Sequence, residues 1–152
     1  MNTKVSKILK HNPVLLLSLP LVETKVHAGF PSPAGDYIEN QLDLNDYLIN
    51  HPSDTYFIRV EGNSMTGANI FCGDLLIVDR SIEPARGNIV IANINGDLTV
   101  KKIDYINGKL CLLAENDDYD SVEIKEGNEL LIWGVVIHSI HSFKNTWKIY
   151  SH

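Results

Sequence analysis

Cysteine is scarce in this chain: Cys72 and Cys111 are the only two in 152 residues. Two cannot form the disulfide framework on which small secreted domains depend. Both sit in apolar stretches, NIFCGDLLIV and GKLCLLAE, which read as small buried residues in a reducing compartment; a single bridge between them is left open. Metal-ligand spacing is also missing. The six histidines form no HxxxH or CxxC-type pattern, so no metal site and no other cofactor is expected. Long hydrophobic runs are lacking too. The longest, VLLLSLPLV at residues 14–22, is broken by Pro20, whereas a membrane-spanning helix needs about 20 apolar residues. Positive charge is short outside the start of the chain. Residues 1–28 hold four lysines against one glutamate, a net +3, and the remainder holds nine basic against eighteen acidic residues, a net −9. A body of that sign is repelled by phosphate backbones, so direct DNA binding is not expected.

What is present is enough for one domain with a real core: 44% of the residues are hydrophobic and 21% charged, the balance of a globular chain. From residue 56 onward, runs rich in β-branched and aromatic residues are punctuated by Gly, Asn and Asp. They predict strands at 56–60, 74–79, 88–94, 97–106, 109–115, 121–125 and 130–141. Asn95-Gly96 and Asn107-Gly108 each sit between two such runs, as tight hairpin turns require. Ahead of them, DLNDYLINHP predicts one short helix, capped by Asp43 and halted by Pro52. The fold class is therefore mostly β, compact and antiparallel, with a single short helix. The stretch FPSPAGDY, with Pro31, Pro33 and Gly35 and no apolar periodicity, predicts an extended, mobile connector over 29–42.

The start of the chain has two readings. Lys4, Lys7 and Lys10, the apolar run, and the small residues of VHA before Gly29 make up the three parts of a secretory leader, with residues 1–28 removed by another enzyme. The apolar run is short and proline-edged, and Glu23 and Lys25 follow it. In the other reading the chain cuts the Ala28-Gly29 bond itself.

That second reading needs a nucleophile and a base. Ser64 follows Gly62-Asn63 directly after the strand YFIRV, in a turn that lifts its hydroxyl clear of the sheet. A serine hydroxyl attacks only when a neighbouring base takes its proton. No histidine has a context tying it to both a carboxylate and Ser64. On the strand DLTVKKIDYI, alternation places Lys101 with Thr99, Ile103 and Tyr105, while Lys102 shares the other face with Val100 and can pair with Asp104. Lys101 thus has the neighbours of a lysine in an apolar setting, and a lysine base at neutral pH must have its pKa lowered by burial.

The ordered set AGFPSPAGDY, GNSM, CGDLLIVD, GNIVIANINGDLTVKK and GVVIH, from Ala28 to His138, resembles the LexA/UmuD family of self-cleaving Ser-Lys peptidases, and within it the UmuD-like members. The resemblance implies a compact antiparallel peptidase domain over 43–141 behind a mobile N-terminal arm, residues 1–28, with a tail at 142–152 whose role it leaves open. It implies Ser64 as nucleophile, Lys101 as general base, the backbone N–H groups of Ser64 and Asn63 as oxyanion donors, and Ala28-Gly29 as the bond cut. UmuD carries cysteine where Ala28 stands, but LexA-type sites use alanine. The implied partners are a second copy of the chain, a RecA filament on single-stranded DNA that stimulates cleavage, and a UmuC-like subunit of an error-prone translesion polymerase. The implied setting is the cytoplasm, in the SOS response to DNA damage. Twenty-eight residues with no clear pair of helices do not supply the DNA-binding domain of a LexA repressor.

Overall fold

The computed structural model describes residues 3–10, 18–22, 39–119, 122–124, 127 and 129–144. In chain order its strands are β1 (Lys4–Lys10), β2 (Ser18–Val22), β3 (Glu39–Asp43), β4 (Thr55–Glu61), β5 (Leu75–Asp79), β6 (Ile89–Ile94), β7 (Asp97–Ile106), β8 (Lys109–Leu113), β9 (Val122–Glu123) and β10 (Leu130–Ile140). One short helix, α1 (Leu44–Leu48), lies between β3 and β4. The mostly β, antiparallel class expected from the sequence is the class observed. The chain forms two compact units, residues 12–52 and residues 1–11 with 53–152.

In the smaller unit, β2 and β3 pair antiparallel from Ser18 opposite Asp43 to Val22 opposite Glu39. Asp43 then caps α1, its Oδ1 accepting the Asn45 N–H at 2.9 Å. The helix stops where Ile49 turns to extended angles, ahead of Pro52. Of the expected connector, residues 29–38 lie outside the described residues and 39–42 belong to β3. The Ala28-Gly29 bond also lies outside the described residues, in the stretch joining β2 to β3.

The larger unit is one antiparallel sheet in the order β1-β4-β5-β10-β6-β7-β8-β9. Lys4 of β1 also opposes Thr99 of β7, which closes the first six strands of that order into a ring. Strand alternation sorts the buried residues into two clusters. Ile58, Val60, Leu76, Val78, Ile91 and Val100, joined by Met65 and Ile70, form the first; Val90, Ala92, Ile103, Leu112 and Val135 form the second. Neighbours such as Val90 and Ile91 fall in different clusters, so β6 and β7 are covered on both faces. Both Asn-Gly turns have positive φ at the two central residues, 51° and 93° at Asn95-Gly96 and 53° and 78° at Asn107-Gly108. That is the mirror-image turn whose twist matches a tight hairpin.

Strand β1 is not in the sequence reading, where its lysines count as the basic start of a leader. It pairs with β4 from Lys4 opposite Glu61 to Lys10 opposite Tyr56, with a break between Val5 and Lys7. Val5 opposes Val60 and Ile8 opposes Ile58, so residues three apart on β1 match residues two apart on β4. The extra residue destroys the period-2 pattern by which a strand is recognised. A second correction concerns the cysteines: both are free, and Cys111 is buried as expected, but Cys72 is exposed in the turn before β5. Among the described residues, no helix is long and apolar enough to cross a membrane. Trp147 and Tyr150 of the tail lie outside the described residues.

Candidate active site

Strand β4 ends at Glu61, and Gly62, at φ 98°, turns the chain out of the sheet. Ser64 follows in that turn, and the next residue, Met65, is fully buried in the first core cluster, which anchors the turn from below. A single 3-10 turn, Thr66–Ala68, completes it. The segment after β8 latches this turn from the side. The Gly67 N–H donates to the Glu115 carbonyl at 2.6 Å. Asn116 Nδ2 donates to the Asn63 carbonyl at 2.8 Å and to Thr66 Oγ1 at 3.2 Å. The Asn63–Ser64 peptide is trans, like all those described. Its carbonyl and N–H therefore point in opposite directions, and holding the Asn63 carbonyl on Asn116 directs the Ser64 N–H away from Asn116. An open cleft of about 280 Å³, lined by Thr66, Gly67, Ala114, Glu115, Asn116 and Asp117, runs along the same latch.

The Ser64 hydroxyl, in a turn outside the sheet, is not open to solvent. It is fully buried, and its Oγ accepts the backbone N–H of Thr3 at 2.7 Å. The Thr3 carbonyl in turn accepts from Thr99 Oγ1 at 2.9 Å and from the Val100 N–H at 3.3 Å. One residue thus joins the Ser64 turn to the part of β7 just before Lys101. The two hydrogen bonds and the length of one residue put Ser64 Oγ within about 10 Å of the Val100 nitrogen.

Lys101 is 3% exposed and stands opposite Val90 in the β6–β7 ladder, with Ile103 two residues along the same face. Burial lowers its pKa from the ordinary lysine value. Lys102, on the other face, is half-buried, and its Nζ lies 3.3 Å from Glu115 Oε1 rather than on Asp104. Residues two apart on a strand are separated by about 7 Å, and Asp104 is already taken by Arg86 Nε at 2.6 Å. Of the two lysines in TVKK, then, Lys101 is the desolvated one and Lys102 the ion-paired one. Ala28 and Gly29 lie outside the described residues.

Three polar contacts escaped the sequence reading. Asn116 and Thr3 have no local signature, because their partners are 53 and 61 residues away. His141, beyond the end of β10, does meet a carboxylate: its Nδ1 lies 2.5 Å from Oδ1 of buried Asp74. Its ring packs between Phe71 and Phe143, with centroids 5.1 and 5.3 Å away.

Comparison with known proteins identifies the family. The family model described as Peptidase S24-like matches residues 20–137. Protein MucA of Salmonella typhimurium is 44% identical over 124 residues, covering 81% of this chain and 84% of that protein. Protein SamA of the same species is 42% identical over 127 residues, covering 84% and 88%. The LexA repressor of Cupriavidus taiwanensis is 39% identical over 129 residues, covering 85% of this chain but 58% of the repressor. The chain belongs to the Peptidase S24-like family, as a UmuD-like member of the LexA/UmuD group.

Proposed function

We propose that the chain is a serine endopeptidase that hydrolyses its own Ala28-Gly29 bond, with Ser64 as nucleophile and Lys101 as general base. The observation that carries this reading is a serine in a pinned turn beside a strand whose one desolvated lysine has a lowered pKa. Neutral Lys101 takes the hydroxyl proton as Ser64 Oγ bonds to the Ala28 carbonyl carbon. The N–H groups of Ser64 and Asn63 hold the oxyanion, fixed donors that need no reorganisation as charge develops. The Lys101 ammonium then gives its proton to the Gly29 nitrogen as the C–N bond breaks. Water, losing a proton to Lys101, hydrolyses the ester and frees the Ala28 carboxylate and Ser64. Substrate and catalyst share one chain, so the rate is set by how often the bond reaches Ser64.

Intact mass under denaturing conditions tests this directly. Purified wild type loses residues 1–28, faster at pH 10 than at pH 7, and Ser64→Ala loses nothing. Denaturation matters, because β1 and β2 both lie before the cut and pair with strands after it, so strand pairing holds the fragment in the native state. If Ser64→Ala is trimmed as fast as wild type, another enzyme is the cutter, and residues 1–28 revert to a secretory leader.

Asn116 gives a finer test of the pinned turn. In Asn116→Ala the Asn63 carbonyl keeps only the Thr66 N–H at 3.4 Å, so the Ser64 N–H is aimed less firmly. Self-cleavage is expected to slow about tenfold, against the roughly 100-fold or more that follows loss of an oxyanion donor itself. Its pH dependence, set by Lys101, stays the same. An unchanged rate would show that the latch does not position the turn.

The wider role follows the family. The processed chain acts in the cytoplasm as a homodimeric accessory subunit of an error-prone translesion polymerase with a UmuC-like partner, in the SOS response. A RecA filament on single-stranded DNA stimulates cleavage by favouring the arrangement in which Ala28-Gly29 reaches Ser64. Support for this role is the 80–90% mutual coverage with the UmuD-like relatives MucA and SamA.

A further inference from the structure

Residues 3–10 lie between β4 and β7, with Thr3 against Ser64 Oγ. β1 fills the gap between β4 and β7, pairing along its length with β4 and meeting β7 at Lys4 opposite Thr99. At its leading end the Thr3 N–H points at Ser64 Oγ and its carbonyl takes two donors from β7. Val5 packs against the first core cluster. An N–H donor 2.7 Å from the hydroxyl oxygen engages a lone pair that nucleophilic attack requires, and Ser64 is left with no exposed surface. A carbonyl carbon cannot approach Ser64 Oγ while Thr3 stays there.

We propose that the slot between β4 and β7 is a strand-receptor site, that residues 3–10 are its resident in the uncleaved chain, and that this resident competes with the scissile segment for Ser64. The resident is held imperfectly where it matters. Its ladder with β4 is broken between Val5 and Lys7, and it shares one register pair with β7. The Thr3 hydroxyl is buried and has no hydrogen-bond partner among the described residues. A buried orphan hydroxyl opposes docking, so the slot exchanges occupants rather than closing for good. The cleavable fraction is then the fraction of molecules with an empty slot. After the cut β1 is no longer covalently tied to the body, so its departure leaves the edges of β4 and β7 open to another extended segment.

The occupancy stands on the geometry, while its effect on cleavage rests on the self-peptidase reading. The test uses the full chain with Lys4→Cys and Glu61→Cys in a Cys72→Ser background. Positions 4 and 61 are directly opposed and both exposed, and opposed Cα atoms in an antiparallel pair are close enough for a disulfide. With Ser64→Ala added, a labelled synthetic peptide of residues 23–35 is titrated against the oxidised and reduced forms. Binding at least tenfold weaker to the oxidised form supports the proposal. Equal binding, no binding to either form, or failure of the cysteines to cross-link overturns it. With Ser64 restored, the oxidised form is expected to stay whole and the reduced form to cleave at the rate of the Cys72→Ser parent. If the peptide arm behaves as stated yet no form cleaves, the self-peptidase reading fails and the strand-receptor site stands. Thr3 gives a signed check in the same assay. Thr3→Val, which loses the orphan hydroxyl, should weaken peptide binding about fivefold, and Thr3→Pro, which loses the N–H, should strengthen it.

Discussion

Lys101→Met leaves the chain whole at every pH and at the same time makes it harder to unfold at neutral pH. The first effect is the loss of the base. Positioned acid–base groups contribute about 10²–10⁴-fold in rate, and here one lysine both removes the hydroxyl proton and protonates the leaving amine. The second effect comes from the same burial that makes the base usable. Burial lowers the Lys101 pKa below the ordinary 10.5. Between the lowered value and 10.5 the unfolded chain holds a proton that the folded chain has released. Stability from this group therefore rises with pH through that window, is complete above 10.5, and is lost as pH falls through the lowered value. Methionine keeps the unbranched chain and removes the charge. The variant is expected to melt higher than wild type at pH 7, by about 2–4 °C for each kcal/mol gained in a domain of this size, with the advantage shrinking as pH nears 10.5. In wild type the cleavage rate climbs as pH rises through the lowered value and then levels off, since only the neutral amine of the folded chain accepts a proton. A Lys101→Met chain that still cleaves would remove Lys101 from the mechanism.

The pairing of those two effects shows how much of the site was legible beforehand. The alternation of DLTVKKIDYI separates Lys101 from Lys102, and the structure keeps them on different faces, one desolvated and one paired with Glu115. The strands from β4 onward were legible for the same reason: half-buried ladders print a period of two, and Asn-Gly marks a turn that requires positive φ. Boundaries failed where side chains leave the ladder for distant partners. The run 109–115 reads as one strand, yet β8 stops at Leu113, because Glu115 and Asn116 turn aside to bind Gly67, Asn63 and Thr66. The run to His141 stops at Ile140, because His141 turns to Asp74. Such polar contacts join residues 48 to 67 apart in the chain and leave no periodic trace. β1 was hidden by its break in register, and with it the burial of Ser64, which no property of the GNSM turn announces.

Gly67→Ala is expected to lower both stability and self-cleavage, the second far more than the first. The φ of Gly67 is not in the left-handed region, so the substitution acts through space alone. An added Cβ would lie 2.5 Å from the Glu115 carbonyl oxygen and 3.2 Å from its carbon, both backbone atoms. The segment after β8 must therefore retreat, breaking the 2.6 Å Gly67–Glu115 hydrogen bond and pulling Asn116 off the Asn63 carbonyl. Overpacking of this kind costs about 1–3 kcal/mol, whereas a shift of about 1 Å in a reacting group can cost about 100-fold in rate. Gly134→Ala provides the comparison. Its Cβ would lie 2.6 Å from Val78 Cγ1, a side chain between β10 and β5 that takes no part in the latch. Both variants should melt lower than wild type. Per folded molecule, Gly134→Ala should cleave at close to the wild-type rate and Gly67→Ala about 100-fold more slowly. Equal rates in the two would mean that the Ser64 turn holds its own shape and that the latch from Glu115 and Asn116 serves stability alone.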